Sequence, residues 1–234
     1  MMFYPMFYFD PTYVLILIGV VISMAASAKL NSTYQRYSAV RSMCGLTGAE
    51  AAKRLLNSQG IYDVTIRRVP GSLTDHYDPR SKTVNLSDAV YGSTSIAAIG
   101  VAAHECGHAM QDAADYSPLR IRAALVPAAN LGSQLAWPLI LVGLLLGSGG
   151  SGLAFAGIVL FSLAVLFQLV TLPVEYNASH RAVTLLDSTG ILAGQEVGQT
   201  RSVLNAAALT YVAAAAASIL QLLRLLMLFN RRRD

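Results

Sequence analysis

Two apolar stretches limit what this chain can fold into: Tyr13 to Ala28, and the longer block from Leu135 to Leu172. A helix needs about 20 apolar residues to cross a bilayer, and in lipid only helices and closed barrels satisfy their own backbone groups. The first stretch is therefore one span. The second is long enough for two if it breaks at Gly147-Ser148-Gly149-Gly150-Ser151-Gly152, an uncharged run with the composition of a tight external turn. Composition agrees: among 234 residues, 54% are hydrophobic and 13% charged, and the mean hydropathy is +0.50. That is too apolar for a soluble domain of this size and leaves room for one modest polar domain beside the spans.

The charges orient these spans. Phe3, Tyr4, Phe7, Tyr8 and Phe9 precede the first span as an interfacial belt, and Lys29, Arg36 and Arg41 follow it. No Lys or Arg stands before it, so it lacks the basic start of a secretory signal, and the excess of basic residues after it puts residue 29 onward in the cytoplasm. Arg120, Arg122 and Arg181 at the ends of the hairpin agree. Asn205 to Phe229 is also long enough to span, but Arg224 lies inside it and Arg231, Arg232 and Arg233 follow. A full crossing would export four Arg, so the expectation is a helix packed on the catalytic domain or lying in the membrane interface. These Arg are of the membrane-flanking kind; the net charge of +4 comes with no nucleic-acid motif, and no nucleic-acid partner is expected.

Between the first span and the hairpin the sequence reads as a globular α+β region. Thr47-Gly48-Ala49-Glu50 has the form of a capping box opening a helix that ends near Gly60. Val64 to Val69 has β-branched character, Pro70-Gly71 and Asp78-Pro79-Arg80-Ser81 punctuate, and Lys82 to Leu86 reads as a second strand. A small-residue helix begins near Ser95.

That helix carries His104-Glu105-Cys106-Gly107-His108, a His-Glu-x-x-His motif. Positions four apart share a helix face, so both imidazoles can bind one Zn²⁺ while Glu105 reaches a metal-bound water. Zinc lowers the pKa of such a water toward about 7, and Glu105 can take its proton as general base and pass it to the leaving amine. The plainer reading is two polar His on a wet helix face. Against it, the chain has 4 His, and two of them bracket a Glu at this spacing within an apolar run. Cys106 points away from that face and reads as a packing residue; with Cys44 it makes no disulfide framework.

Zinc requires a third protein ligand. Glu175 is the leading candidate because it follows Pro173 at the end of the hairpin and opens a polar helical stretch; the competing reading is an interfacial anchor. On a helix starting there, Ser179 shares its face and would support it. Asp75, His76 and Asp78, in the polar turn, are rivals, and His180 lies off the face of Glu175.

Leu73-Thr74-Asp75-His76-Tyr77-Asp78-Pro79-Arg80, Val84-Asn85-Leu86-Ser87, the zinc motif with Ala109-Met110-Gln111, and Pro173-Val174-Glu175-Tyr176-Asn177-Ala178-Ser179 resemble the motifs of the bacterial membrane zinc metallopeptidases of the YugP type. The resemblance covers nearly the whole chain. It implies a gluzincin with His104, His108 and Glu175 as ligands, and an edge strand before the zinc helix that holds the substrate backbone. Thr83, Val84, Asn85 and Leu86 are the expected edge. Wider kin among membrane proteases carry Asp where this chain has Ser179, and an acid is expected in the nearer family where Asn177 stands.

The expected protein is thus a mostly α membrane protein of the bacterial cell membrane, with three or four transmembrane helices and a small cytoplasmic α+β zincin-like catalytic domain. Its expected organisation is an anchor at 1–29, a catalytic domain at 30–132, a hairpin at 133–174, a third-ligand helix and connection at 175–204, and a hydrophobic helix with a basic tail at 205–234. The expected activity is zinc-dependent cleavage of membrane-associated or unfolded polypeptides, with the lipid bilayer as its other partner. Two alternatives stand: a non-catalytic scaffold with a structural zinc, and hydrolysis of a small amide or ester.

Overall fold

The computed structural model describes residues 10–231. Phe3, Tyr4, Phe7, Tyr8, Phe9, Arg232 and Arg233, to which the sequence assigns membrane-flanking roles, lie outside them. The chain is mostly helical: α1 (Tyr13–Ser38), α2 (Gly48–Ser58), β1 (Thr65–Val69), β2 (His76–Asp78), β3 (Thr83–Ser87), α3 (Asp88–Tyr91), α4 (Ile96–Ala113), α5 (Ser117–Leu145), α6 (Ser151–Ser188) and α7 (Gln195–Asn230). Four helices, α1, α5, α6 and α7, are long and apolar enough to cross a membrane. Two compact units emerge: Met1–Ala25 with Val126–Gln168 and Val212–Asp234, and Ala26–Leu125 with Leu169–Tyr211.

The first unit is held by close helix contacts at small residues. A Cβ on Gly143 would collide with the backbone nitrogen of Ala154, and one on Gly157 would come within 2.7 Å of the Ala136 carbonyl oxygen. Small residues let helix backbones approach where apolar burial gains nothing against lipid. The turn between α5 and α6 is a short 3₁₀ segment, Gly147–Gly150, and Gly147 sits at φ +63°, so the break falls where the glycine run predicts it. The C-terminal half of α7 belongs here too. Arg224 lies 4.4 Å from the ring centre of Tyr13, and Arg231 pairs with Asp10 at 3.6 Å. Of the two expected placements of residues 205–229, on the catalytic domain or in the membrane interface, the first is therefore corrected for everything after Tyr211: an aromatic face and a carboxylate at the N-terminal end of α1 meet the basic groups that argued against a fourth long apolar helix beside the other three.

The second unit has an ordinary hydrophobic core, with Leu55, Leu56, Val84, Leu86, Ile99, Leu186 and Leu192 buried together. Its first helix, α2, starts at the expected capping box: the Thr47 side chain accepts from the Glu50 backbone N–H while the Glu50 carboxylate accepts from that of Thr47. The sheet has the order β1-β3-β2, with β1 parallel and β2 antiparallel to β3. This overturns the expectation that Thr83, Val84, Asn85 and Leu86 form an exposed edge. They are the middle strand, because His76-Tyr77-Asp78, read from its turn-like residues as a loop, pairs with Asn85, Val84 and Thr83. Val84 and Leu86 are fully buried, so both ladder edges of β3 and its apolar side chains are occupied.

α6 also differs from expectation. Instead of a span ending at Pro173 and a new helix after it, one helix runs through Pro173 to Ser188. An interior proline sacrifices a backbone hydrogen bond, but Val174, Ala178 and Ala182 are fully buried just beyond it, and that packing sustains the helix.

Amide exchange over residues 84–86 should be among the slowest in the chain, with the outer strands exchanging faster. Rapid exchange at Val84 and Leu86 would return β3 to a sheet edge.

Candidate metal centre

α4 delivers its motif at high precision because its N-terminus is capped by the Ser95 hydroxyl, which accepts from the Ala98 N–H at 3.2 Å, and because small residues bury most of its faces. What brings the third ligand to it is Gly107. A Cβ there would run into the Ala178 carbonyl oxygen of α6, so glycine is the residue that lets the two backbones approach this closely.

At that crossing His104, His108 and Glu175 converge, with one ligand atom from each within 4.8 Å of the others. The His104 Nε2 is 3.2 Å from Glu175 Oε2, and the His108 Nε2 is 3.7 Å from Oε1. Metal–ligand bonds of about 2.0–2.2 Å in tetrahedral arrangement separate neighbouring ligand atoms by about 3.4 Å, so the spacing suits an ion of this size. The donor set, two imidazoles and a carboxylate, is that of an open zinc site. Glu175 is 2% exposed, and a carboxylate so buried needs a cationic partner. His108 feels the same field: burial pushes its imidazole pKa down, but the hydrogen bond and charge of Glu175, with the charge of Glu105, outweigh this and hold it above its ordinary value.

The outer ring nitrogen of each imidazole is hydrogen-bonded. The Nδ1 of His108 is 3.0 Å from Gln111 Oε1, while Gln111 Nε2 donates to the Val174 carbonyl at 2.8 Å and to Asn177 Oδ1 at 3.0 Å. With its amide nitrogen so committed, Gln111 can only accept from the imidazole, so Nδ1 carries a proton and the Nε2 facing Glu175 is the nitrogen that, once deprotonated, would bind a metal. Asn177 Oδ1 also accepts from Arg181 Nε at 2.8 Å, so an amide at position 177 serves this network without the acid expected there. Ser179 Oγ lies 3.1 Å from His104 Nδ1. It thus supports His104, not Glu175 as its place on the helix suggests; Glu175 is instead held by Arg122, whose Nη1 is 3.3 Å from Oε1.

The rivals are committed elsewhere. Asp75 accepts from the backbone N–H and hydroxyl of Ser87, and His76 lies between the Thr74 carbonyl and the Asn85 amide. Asp78 accepts from the Arg80 N–H and the Ser81 hydroxyl, and His180 is exposed. Cys106 is fully buried, burial pushes its thiol pKa far up, and it packs away from the site as its helix position predicts. Glu105, 7% exposed, faces a cavity together with His104 and Glu175.

Gln111, Arg122 and Tyr211 were not singled out from sequence. Gln111 carries a signal, being three residues beyond His108 and so one turn on. Arg122, read only as a flanking charge, and Tyr211, which lines the same cavity from α7, reach the site through tertiary folding alone.

Residues 12–230 match the family described as "Putative neutral zinc metallopeptidase", and the chain belongs to that family. A Bacillus subtilis (strain 168) protein named "Putative membrane protease YugP" is 48% identical over 213 residues, covering 91% of this chain and 94% of its own length. The resemblance read from the motifs is thereby shown. No solved structure matches the chain.

Gly107→Ala should separate α4 from α6 and abolish stoichiometric zinc binding, measured by elemental analysis of the purified protein. Gln111→Leu and Ser179→Ala should each weaken zinc affinity about 10- to 100-fold, as for other losses of a ligand's supporting hydrogen bond. Unchanged affinity in both would deny that the outer nitrogens orient the imidazoles.

Proposed function

We propose that this protein is an integral membrane zinc endopeptidase of the bacterial cell membrane, active at the cytoplasmic side, that hydrolyses peptide bonds of membrane-associated or unfolded polypeptides. The observation that carries the reading is the convergence of His104, His108 and Glu175 with Glu105 against one cavity. The family and relative named above support zinc and proteolysis, and the four long apolar helices support membrane residence. The cytoplasmic side rests on Lys29, Arg36, Arg41, Arg120, Arg122 and Arg181.

Zinc held there would supply Lewis acidity and a nucleophilic water at neutral pH. His104 and His108 would hold it with their inner nitrogens, the Nδ1 of His108 donating to Gln111 and that of His104 hydrogen-bonded with Ser179. Glu175 adds the negative charge that two neutral imidazoles lack, and Arg122 steadies its carboxylate. Glu105, one step round α4 from His104, takes the proton from the attacking water and returns it to the leaving amine. For an extended substrate, the sheet edge beside the cavity is β2: like β1 it pairs with β3 alone among the described residues, and Leu73 and Asp75, just before it, line the cavity. Strand addition there would favour polypeptides over small amides.

A scaffold with structural zinc has less to recommend it, because structural sites are commonly closed by four protein ligands, whereas three converge here beside a cavity. The purified protein should hold about one Zn²⁺ per chain and cleave unfolded casein or membrane-derived peptides. Glu105→Gln should keep the metal and reduce cleavage to below a few per cent. Retained cleavage would move the base elsewhere, and a metal-loaded wild type inert toward every peptide would favour the scaffold.

A further inference from the structure

The cavity beside the three ligand atoms has a volume of about 150 Å³. One side is polar, formed by His104, Glu105 and Glu175; the remainder is largely apolar, with Leu30, Val101, Val203, Leu204, Ala207 and Ala208 among its lining. The other charged or hydroxyl side chains facing it are already engaged: Asp75 accepts two hydrogen bonds from Ser87, Tyr34 bonds Ser38, Ser179 bonds His104, and Tyr211 reaches toward Glu175. Among the described residues the lining holds no Lys or Arg to pair with an anionic occupant, and the apolar part gives no polar partner to a charged head of either sign, so burying one there is costly.

Size narrows the occupant further. An apolar cavity of about 150 Å³ holds one benzene ring, which is far too small for a lipid tail and suits a single Leu- or Phe-sized side chain. Position gives that side chain its meaning. Because Glu105 and the ligand residues form part of the same wall, a peptide bond placed for attack there lays a neighbouring side chain into the apolar part.

We infer that this cavity is the specificity subsite of the enzyme, accepting one apolar side chain adjacent to the scissile bond, with Ala207 and Val203 of α7 setting its depth. The inference rests on the peptidase reading and names the substrate class within it: polypeptides with a large apolar residue at the cut. Ala207 is half-buried, so a larger residue there projects into the cavity, while Val203 is 1% exposed, so trimming it enlarges the space.

The test uses the full-length zinc-loaded protein and peptides that differ only at one residue beside the mapped cleavage site: Gly, Ala, Leu, Phe, Asp or Lys. Leu or Phe should exceed Gly in kcat/KM by about tenfold or more, since a single methylene in an apolar pocket is worth about 10- to 200-fold. Ala207→Leu should lower the Leu-to-Gly ratio about tenfold with zinc content unchanged, and Val203→Ala should shift preference from Leu toward Phe. Calorimetric binding of the same peptides to Glu105→Gln should show the same order without turnover. Equal cleavage of Asp, Lys and Leu peptides, or a Leu-to-Gly ratio unmoved by both variants, would overturn the subsite while leaving the peptidase intact. Neither cleavage nor binding of any peptide would instead remove the peptidase reading, and the subsite with it.

Discussion

The metal centre depends on one close approach, that of Gly107 in α4 to the Ala178 carbonyl in α6. Two His on one helix can hold an ion only weakly; the buried carboxylate that completes the set comes from a helix far away in sequence, and its distance is decided where the two backbones touch. The rest of the second unit can be understood as fixing that crossing. Ser95 caps α4, Gln111 bonds across to Val174 and Asn177, and Val174, Ala178 and Ala182 bury the face of α6 that carries Glu175. Shape and chemistry thus share residues: the glycine inside the motif is there for packing, and the glutamine after it serves both the imidazole and the helix pair.

The electrostatics follow from the same geometry. Two carboxylates, Glu105 and Glu175, lie at 7% and 2% exposure around two imidazoles whose outer nitrogens are taken by Ser179 and Gln111. Such an arrangement is costly without positive charge in its middle. Arg122 offsets part of that cost from the side, at 3.3 Å from Glu175, and a divalent ion would offset the remainder. This is the physical sense in which the residues fit zinc: the spacing admits it, and the charge calls for it.

Local features were legible in the sequence. The capping box at Thr47, the strand at Val64–Val69, the glycine turn after Leu146 and the metal motif all depend on residues within a few positions of one another. So did Glu175 as a candidate, once the resemblance carried by Pro173 to Ser179 was added. What local pattern could not convey was pairing between distant segments. The strand at Thr83–Leu86 was recognisable, but its place in the middle of the sheet depends on His76–Asp78, whose turn-like residues concealed a third strand. Helical spacing assigned Ser179 to Glu175, although the crossing at Gly107 turns its hydroxyl toward His104. Arg224 argued against a fourth long apolar helix grouped with the others because the sequence does not reveal that the Tyr13 ring lies against it.

The most direct test of the account is X-ray absorption at the zinc edge of the purified, zinc-loaded protein. The geometry of His104, His108 and Glu175 predicts a shell of nitrogen and oxygen donors at about 2.0–2.2 Å with outer scattering from two imidazoles. A sulfur shell near 2.3 Å, or the signature of a third imidazole, would place Cys or another His on the metal and contradict the crossing of α4 and α6 as the origin of the site.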